Sequence, residues 1–150
     1  GLLSGLETVK DCMDDETMRT FVRACLFEEI IPTLDMPKDE LLEYADSVLV
    51  RFANPYIRHF LAAISLNSIS KFKVRVLPSL LEYRKRFGKN PEHLILGLAK
   101  LIEFYQVGTP NDAEDVISAI RGKSLEEVLA NTALWGTDLS DLCEAVKAAK

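Results

Sequence analysis

The chain has 150 residues, 48% of them hydrophobic and 27% charged, with 18 lysines and arginines against 23 aspartates and glutamates. That balance fits one soluble globular domain with room for a sizeable core. It excludes a disordered polymer and a bilayer-spanning helix, because every apolar run is interrupted within a few residues. Cys12, Cys25 and Cys143 are odd in number and form no C-x-x-C pair. They predict reduced thiols in a cytoplasmic setting, not a disulfide framework or a thiolate zinc site. The opening GLLSGLETVKD lacks the basic start and apolar core of a signal peptide.

In chain order, residues 4–13 predict a short helix with Leu6 and Val9 as apolar contacts. Asp14 and Asp15 cap a second helix reaching residue 31. Its Met18, Phe21, Val22, Cys25 and Leu26 follow the i, i+3, i+4, i+7, i+8 spacing of one buried face. Pro32 ends it and Pro37 opens the next turn. A third helix covers 38–52, with Leu41, Ala45, Val48, Leu49 and Phe52 on one side. Asn54-Pro55 breaks it and starts a fourth over 55–66 that buries Ile57, Phe60, Leu61 and Ile64.

From 67 to 76 the period changes. Phe72, Val74 and Val76 alternate with Lys73 and Arg75, which predicts a loop or short extended piece. Pro78 then starts a helix that ends at Gly88. Residues 91–105 follow as a helix with Leu94, Ile95, Leu98, Ile102 and Tyr105 inward. A helix over 112–121 stops at Gly122, Ser124 and Glu127 form a capping box for a short helix, and a last helix follows Asp138. Trp135, before Gly136, packs a turn. With no strand pair and no repeat, the expectation is a single all-α domain over residues 1–150.

Most catalytic-looking patterns fail on context. Ser68-x-x-Lys71 and Ser70-x-x-Lys73 have the spacing of serine–lysine acylases, but S-D-N and K-T-G are absent. Gly122-Lys123-Ser124 lacks the glycine that would begin a phosphate loop, and no G-x-G-x-x-G occurs. His59 and His93 lie far apart without a third ligand in helical register, so no metal site is expected.

What survives is charge. Residues 51–89 hold nine cations (Arg51, Arg58, Lys71, Lys73, Arg75, Arg84, Lys85, Arg86, Lys89) against Glu82 alone, a net +8 within a chain of net −5. Such an island repels itself on folding, which points to an anionic ligand or an acidic neighbour; pairing with acids of flanking helices is the alternative. Arg51, before the Asn-Pro turn, offers a planar bidentate donor to a carboxylate. Lys71 and Lys73 point to one side if their segment is extended, with amides and hydroxyls of Asn67, Ser68 and Ser70 nearby. The combination suits a polyhydroxylated anion such as a sugar acid. A nucleic-acid strip would interleave aromatics with its cations, and here the aromatics are sent inward; neither nucleic acid nor membrane is an expected partner.

FEEIIPTLD at 27–35, RFANPYIRH at 51–59, SLNSISKFKVRVLPSLLEY at 65–83 and LWGTDL at 134–139 resemble the C-terminal domain of tagaturonate reductases, also called altronate oxidoreductases. These belong to the mannitol dehydrogenase family of long-chain polyol dehydrogenases. The resemblance implies a helical substrate-side domain of the kind shared with 6-phosphogluconate dehydrogenase-like enzymes. It implies an N-terminal Rossmann-type domain of the same chain that binds NAD, no metal, and hydride transfer between tagaturonate and altronate in hexuronate catabolism. In the family a Lys-x4-Asn-x2-His helix carries the chemistry, upstream of the part resembling SGLETV at 4–9. Lys85, Asn90 and His93 match that spacing, but Gly88 and Asn90-Pro91 interrupt the helix it needs. No catalytic residue is therefore expected in this chain, and alone it should be inactive. Substrate contact falls to Arg51, Lys71 and Lys73, with Asn54, His59 and Asn67 orienting them. A related polyol or fructuronate/mannonate dehydrogenase domain, or a helical adaptor with a basic face, are the alternatives.

Overall fold

The computed structural model describes residues 2–54, 56 and 60–149. A 3-10 turn at Leu2–Ser4 ends at Gly5, whose φ of 78° an L side chain rarely adopts. Thr8 then caps α1 (Val9–Asp14): its hydroxyl accepts from the Asp11 N–H at 3.1 Å while the Asp11 carboxylate accepts from the Thr8 N–H at 3.0 Å. Asp15 caps α2 (Glu16–Ala24) through the Met18 N–H, as its position predicts. The expected run to residue 31 is present, but α2 widens into a π turn at Cys25–Ile30 and closes with a 3-10 turn at Ile31–Thr33. The helix α3 (Lys38–Phe52) has the expected bounds and buries Leu41, Ala45 and Leu49.

Three expectations need correction. The first helix, expected over 4–13, begins only at Val9, because Thr8 is extended and caps it. The fourth helix is a single turn, α4 (Leu61–Ile64), with no buried residue. Phe60 is extended and 49% exposed, held in one antiparallel bridge to Thr8, while the Leu61 N–H donates to the Glu7 carbonyl at 2.8 Å. Ile57 of the expected face lies outside the described residues. The segment expected to be extended is instead α5 (Ser68–Arg75), which starts from Asn67 in the left-handed conformation, φ 55°. Phe72 and Val76 belong equally to a period of 2 and to an i, i+3, i+7 helical stripe. Tertiary packing chose the stripe by burying Ile69 and leaving Val74 68% exposed.

The remaining elements follow the sequence closely. They are α6 (Leu77–Phe87), capped by left-handed Gly88, then α7 (Glu92–Val107), α8 (Glu114–Ile120) and α9 (Leu125–Ala130). The Ser124 hydroxyl accepts from the Glu127 N–H at 3.2 Å, which is the forward half of the expected capping box. After α10 (Thr132–Trp135), a 3-10 turn at Ser140–Leu142 leads into α11 (Cys143–Ala149). Among the described residues the structure is helical, with no strand beyond the single Thr8–Phe60 bridge.

The core forms around α7, which buries Leu94, Ile95, Leu98, Ala99, Ile102 and Tyr105 against side chains from α5, α6 and the C-terminal helices. Trp135 is 1% exposed; its indole N–H donates to the Val128 carbonyl at 2.9 Å and its ring meets Phe72 edge-on. The Tyr105 hydroxyl donates to Asp112 at 2.5 Å, and burial followed by that bond pushes its pKa up.

The start of α7 is capped from a distance. Glu29, on the π turn and 3% exposed, accepts from the His93 N–H at 2.9 Å and the Leu94 N–H at 2.7 Å, and lies 2.5 Å from His93 Nδ1. One carboxylate thus satisfies two backbone donors at the N-terminal end of the central helix, where the dipole favours an anion. Glu29→Ala should lower stability by about 2–4 kcal/mol in a urea titration; a loss under about 1 kcal/mol would mean that water replaces the carboxylate.

The helical reading of α5 has its own test. Val74→Asp should leave stability within about 0.5 kcal/mol of the parent chain. Ile69→Asp should cost about 3 kcal/mol or more, because it buries an unpaired carboxylate. Equal penalties would contradict the helical phase.

Candidate functional site

An apolar-floored cleft of about 390 Å³ opens between α2 with its π turn, α5 and α7. Phe21, Cys25, Phe72, Leu94 and Leu101 form its floor, and Ser68, Lys71, Arg75 and His93 supply its polar groups. A concave apolar surface with a few convergent polar groups is the usual form of a small-molecule site. A larger hollow of about 480 Å³ lies beside α8, but two of its three charged side chains, Asp112 and Arg121, are engaged, which leaves Glu114 alone there among the described residues. There Asp112 accepts from Tyr105 and from the Ala113 N–H, and Arg121 donates to the Gly108 carbonyl.

In the cleft, the Lys71 ammonium donates to the Ile64 carbonyl at 2.7 Å, which holds it beside the end of α4 with further N–H donors to spare. The Ser68 hydroxyl donates to the Ser65 carbonyl at 2.5 Å. Serine and lysine are therefore each bound to backbone, not to one another, and make no nucleophile–base pair. Burial, with Glu29 close by, pushes the Cys25 thiol up to about 12. It is part of the cleft floor and not a nucleophile at neutral pH. His93 is bound to Glu29 on a helix separate from Lys85, with left-handed Gly88 between them. Lys85, Asn90 and His93 therefore do not share the continuous helix that their spacing would need.

Among the described residues expected to contact substrate, Lys71 alone lines this cleft. Lys73 is two residues along the same helix and so faces about 200° away. Its side-chain carbon lies 2.9 Å from where a Cβ on Gly136 would sit. The side-by-side placement of the two lysines, which required an extended segment, is replaced by opposite faces. Arg51 is exposed in the last turn of α3 and makes no side-chain bond among the described residues. Asn54 spends its amide oxygen on the Tyr56 N–H at 2.9 Å. Asn67 donates its backbone N–H to the Asn111 carbonyl at 2.9 Å and turns the chain into α5. His59 lies outside the described residues. Arg75, weighed only as one cation of the basic stretch, and His93, matched only to the rejected Lys-x4-Asn-x2-His spacing, join Lys71 through helical spacing and tertiary packing; only the i, i+4 relation of Lys71 and Arg75 was readable in the sequence.

The basic stretch is unevenly neutralised. On α6, Arg84 pairs with Asp141 at 2.9 Å, and Arg86 pairs with Asp35 at 2.8 Å and Glu82 at 2.7 Å. On α5, Lys71, Lys73 and Arg75 form no ion pair among the described residues. No group of three or more histidine, cysteine or carboxylate side chains there is arranged to hold a metal ion, and no helix of the described residues is long and apolar enough to cross a membrane.

The family model for the mannitol dehydrogenase C-terminal domain matches residues 1–150. The chain is 51% identical over 104 residues to an altronate oxidoreductase of Pectobacterium carotovorum, covering 69% of this chain and 21% of that protein. It is 40% identical over 152 residues to that of Bacillus subtilis, with 94% and 31% covered. It is 37% identical over 165 residues to that of Bacteroides thetaiotaomicron, with 97% and 34% covered. The chain therefore spans about a third or less of the length of these relatives. Match and helical architecture agree, and the chain belongs to the mannitol dehydrogenase C-terminal domain family.

Proposed function

We propose that this chain is the substrate-side domain of an oxidoreductase that interconverts tagaturonate and altronate in a cytoplasmic hexuronate pathway. The observation that carries the reading is a cleft lined by two cations, Lys71 and Arg75, that have no acid partner among the described residues, in a chain whose relatives are named altronate oxidoreductases. An aldonate or uronate has one carboxylate for those cations and hydroxyls for polar groups such as Ser68 at the cleft.

The residues described do not fit a dinucleotide. They include no strand–glycine turn–helix unit to cradle a pyrophosphate. NAD would be held by an N-terminal Rossmann-type domain of the same polypeptide, and no part of the hydride exchange is assigned to a residue of this chain. What the chain contributes is binding. Lys71 presents a pinned ammonium at the cleft, whereas Lys73 lies on the opposite face of α5 and Arg51 is an exposed cation at the end of α3. Asn54, His59 and Asn67 belong to the segments that carry them. Low polarity of the cleft floor strengthens a charge–charge contact relative to open water.

In the enzyme containing this domain, tagaturonate should be reduced in preference to fructuronate and to the neutral ketose fructose. Lys71→Ala should raise KM for tagaturonate about tenfold or more, as expected for one lost charge-assisted hydrogen bond, with little change for fructose. Equal effects on both substrates would make Lys71 a structural residue, and fructose as the preferred substrate would remove the sugar-acid reading.

A further inference from the structure

Cations of the basic stretch divide into paired and unpaired, and Lys85 on α6 makes no ion pair among the described residues, like those on α5. Those on α6 that make ion pairs, Arg84 and Arg86, are bound to Asp141, Asp35 and Glu82. On α5, Lys71 and Arg75 stand one turn apart, both line the cleft, and neither meets an acid among the described residues. Glu29, the carboxylate that reaches this end of α7, is buried and committed to the N–H groups of His93 and Leu94 and to the His93 ring. Two like charges at i, i+4 repel one another, and an anion lodged against both turns that repulsion into attraction. The two groups also divide the work by shape. A guanidinium presents a planar fork that matches both oxygens of a carboxylate, whereas an ammonium acts as a point charge. The Lys71 ammonium is already anchored on the Ile64 carbonyl, so it sits as a fixed flank to an exposed fork that has no hydrogen-bond partner among the described residues.

We propose that Arg75 is a substrate-binding residue that selects a sugar acid over the corresponding neutral polyol, its guanidinium taking the carboxylate with Lys71 as the second donor. The inference rests on the substrate reading above and adds to it a residue and a basis for selectivity. Arg75 makes no side-chain hydrogen bond or ion pair among the described residues and is exposed, so its substitution leaves the packing of the domain untouched.

The test is an amide-resolved NMR titration of the 15N-labelled 150-residue chain with altronate and, separately, with altritol, its neutral polyol. Altronate should shift amides of α5 and of the start of α7. Arg75→Gln should weaken altronate binding tenfold or more, Arg75→Lys should restore part of the loss, and altritol should respond equally to all three chains. Unchanged amide dispersion in Arg75→Gln serves as the control for folding. Altronate binding unaffected by Arg75→Gln but weakened by Lys71→Ala would overturn the proposal and leave the substrate reading standing, with Arg75 a solvated cation. If neither substitution changes binding, both fail. Absence of any altronate shift in the unsubstituted chain also overturns the proposal.

Discussion

The structure depends on one carboxylate. Glu29 reaches from the π turn after α2 to the start of α7 and satisfies the backbone donors of His93 and Leu94. It is buried, so these bonds form where competition from water is weak. Because α7 is the helix around which the main core packs, the contact ties the N-terminal part of the chain to that core. The same join makes the cleft. Cys25 and Ile30 come from the π turn, His93 and Leu94 come from the capped end of α7, and α5 closes the remaining side. A carboxylate that looks like one more acid on an amphipathic helix is thus the geometric origin of the candidate site.

Charge is distributed on the same plan. The basic stretch is an island in an acidic chain, and its repulsion is relieved selectively. Arg86 bridges Asp35, Glu82 and the Pro32 carbonyl, which staples α6 to the turn after α2. Arg84 reaches Asp141 and ties α6 to the approach to α11. These exposed pairs contribute little individually; their importance is that they consume cations away from the cleft. Among the described residues, Lys71 and Arg75 have no acid partner above an apolar floor. That contrast gives the anion reading a structural basis beyond the bulk count of lysines and arginines, while the pairing on α6 accounts for part of the excess in the bland way.

The segment that carries the site was also the one whose local pattern misled. Phe72, Val74 and Val76 alternate with charged residues, and the serines around them compete for backbone bonds, so a period of 2 reads plausibly there. The helical stripe of Ile69, Phe72 and Val76 uses two of the same residues. Only the neighbours distinguish the two phases. Phe72 meets the edge of Trp135, and the Ile69 N–H faces the Tyr105 hydroxyl at 3.4 Å. With the helix established, Lys71 and Lys73 separate to different faces and Lys71 acquires Arg75 as its companion. At α4 the apolar residues Phe60 and Ile64 suggested a buried face that the structure leaves half open, since the segment is held to Thr8 and Glu7 by backbone contacts and not by side-chain burial.

The sequence by itself determined the helical class, the bounds of α3 and the cap residues of α2, α6 and α9. It also determined the inward face of α7, because hydrophobic period, proline, glycine and capping side chains act within a few residues of where they stand. It located the excess of positive charge and the family resemblance for the same reason: both are properties of contiguous residues. Tertiary structure decided the phase of α5, the pairing of Arg84 and Arg86, the long-range cap by Glu29, and the meeting of Lys71, Arg75 and His93 at one cleft. Each of these joins groups that are ambiguous locally or distant in sequence, and their energies exist only once the core around α7 has brought the helices together.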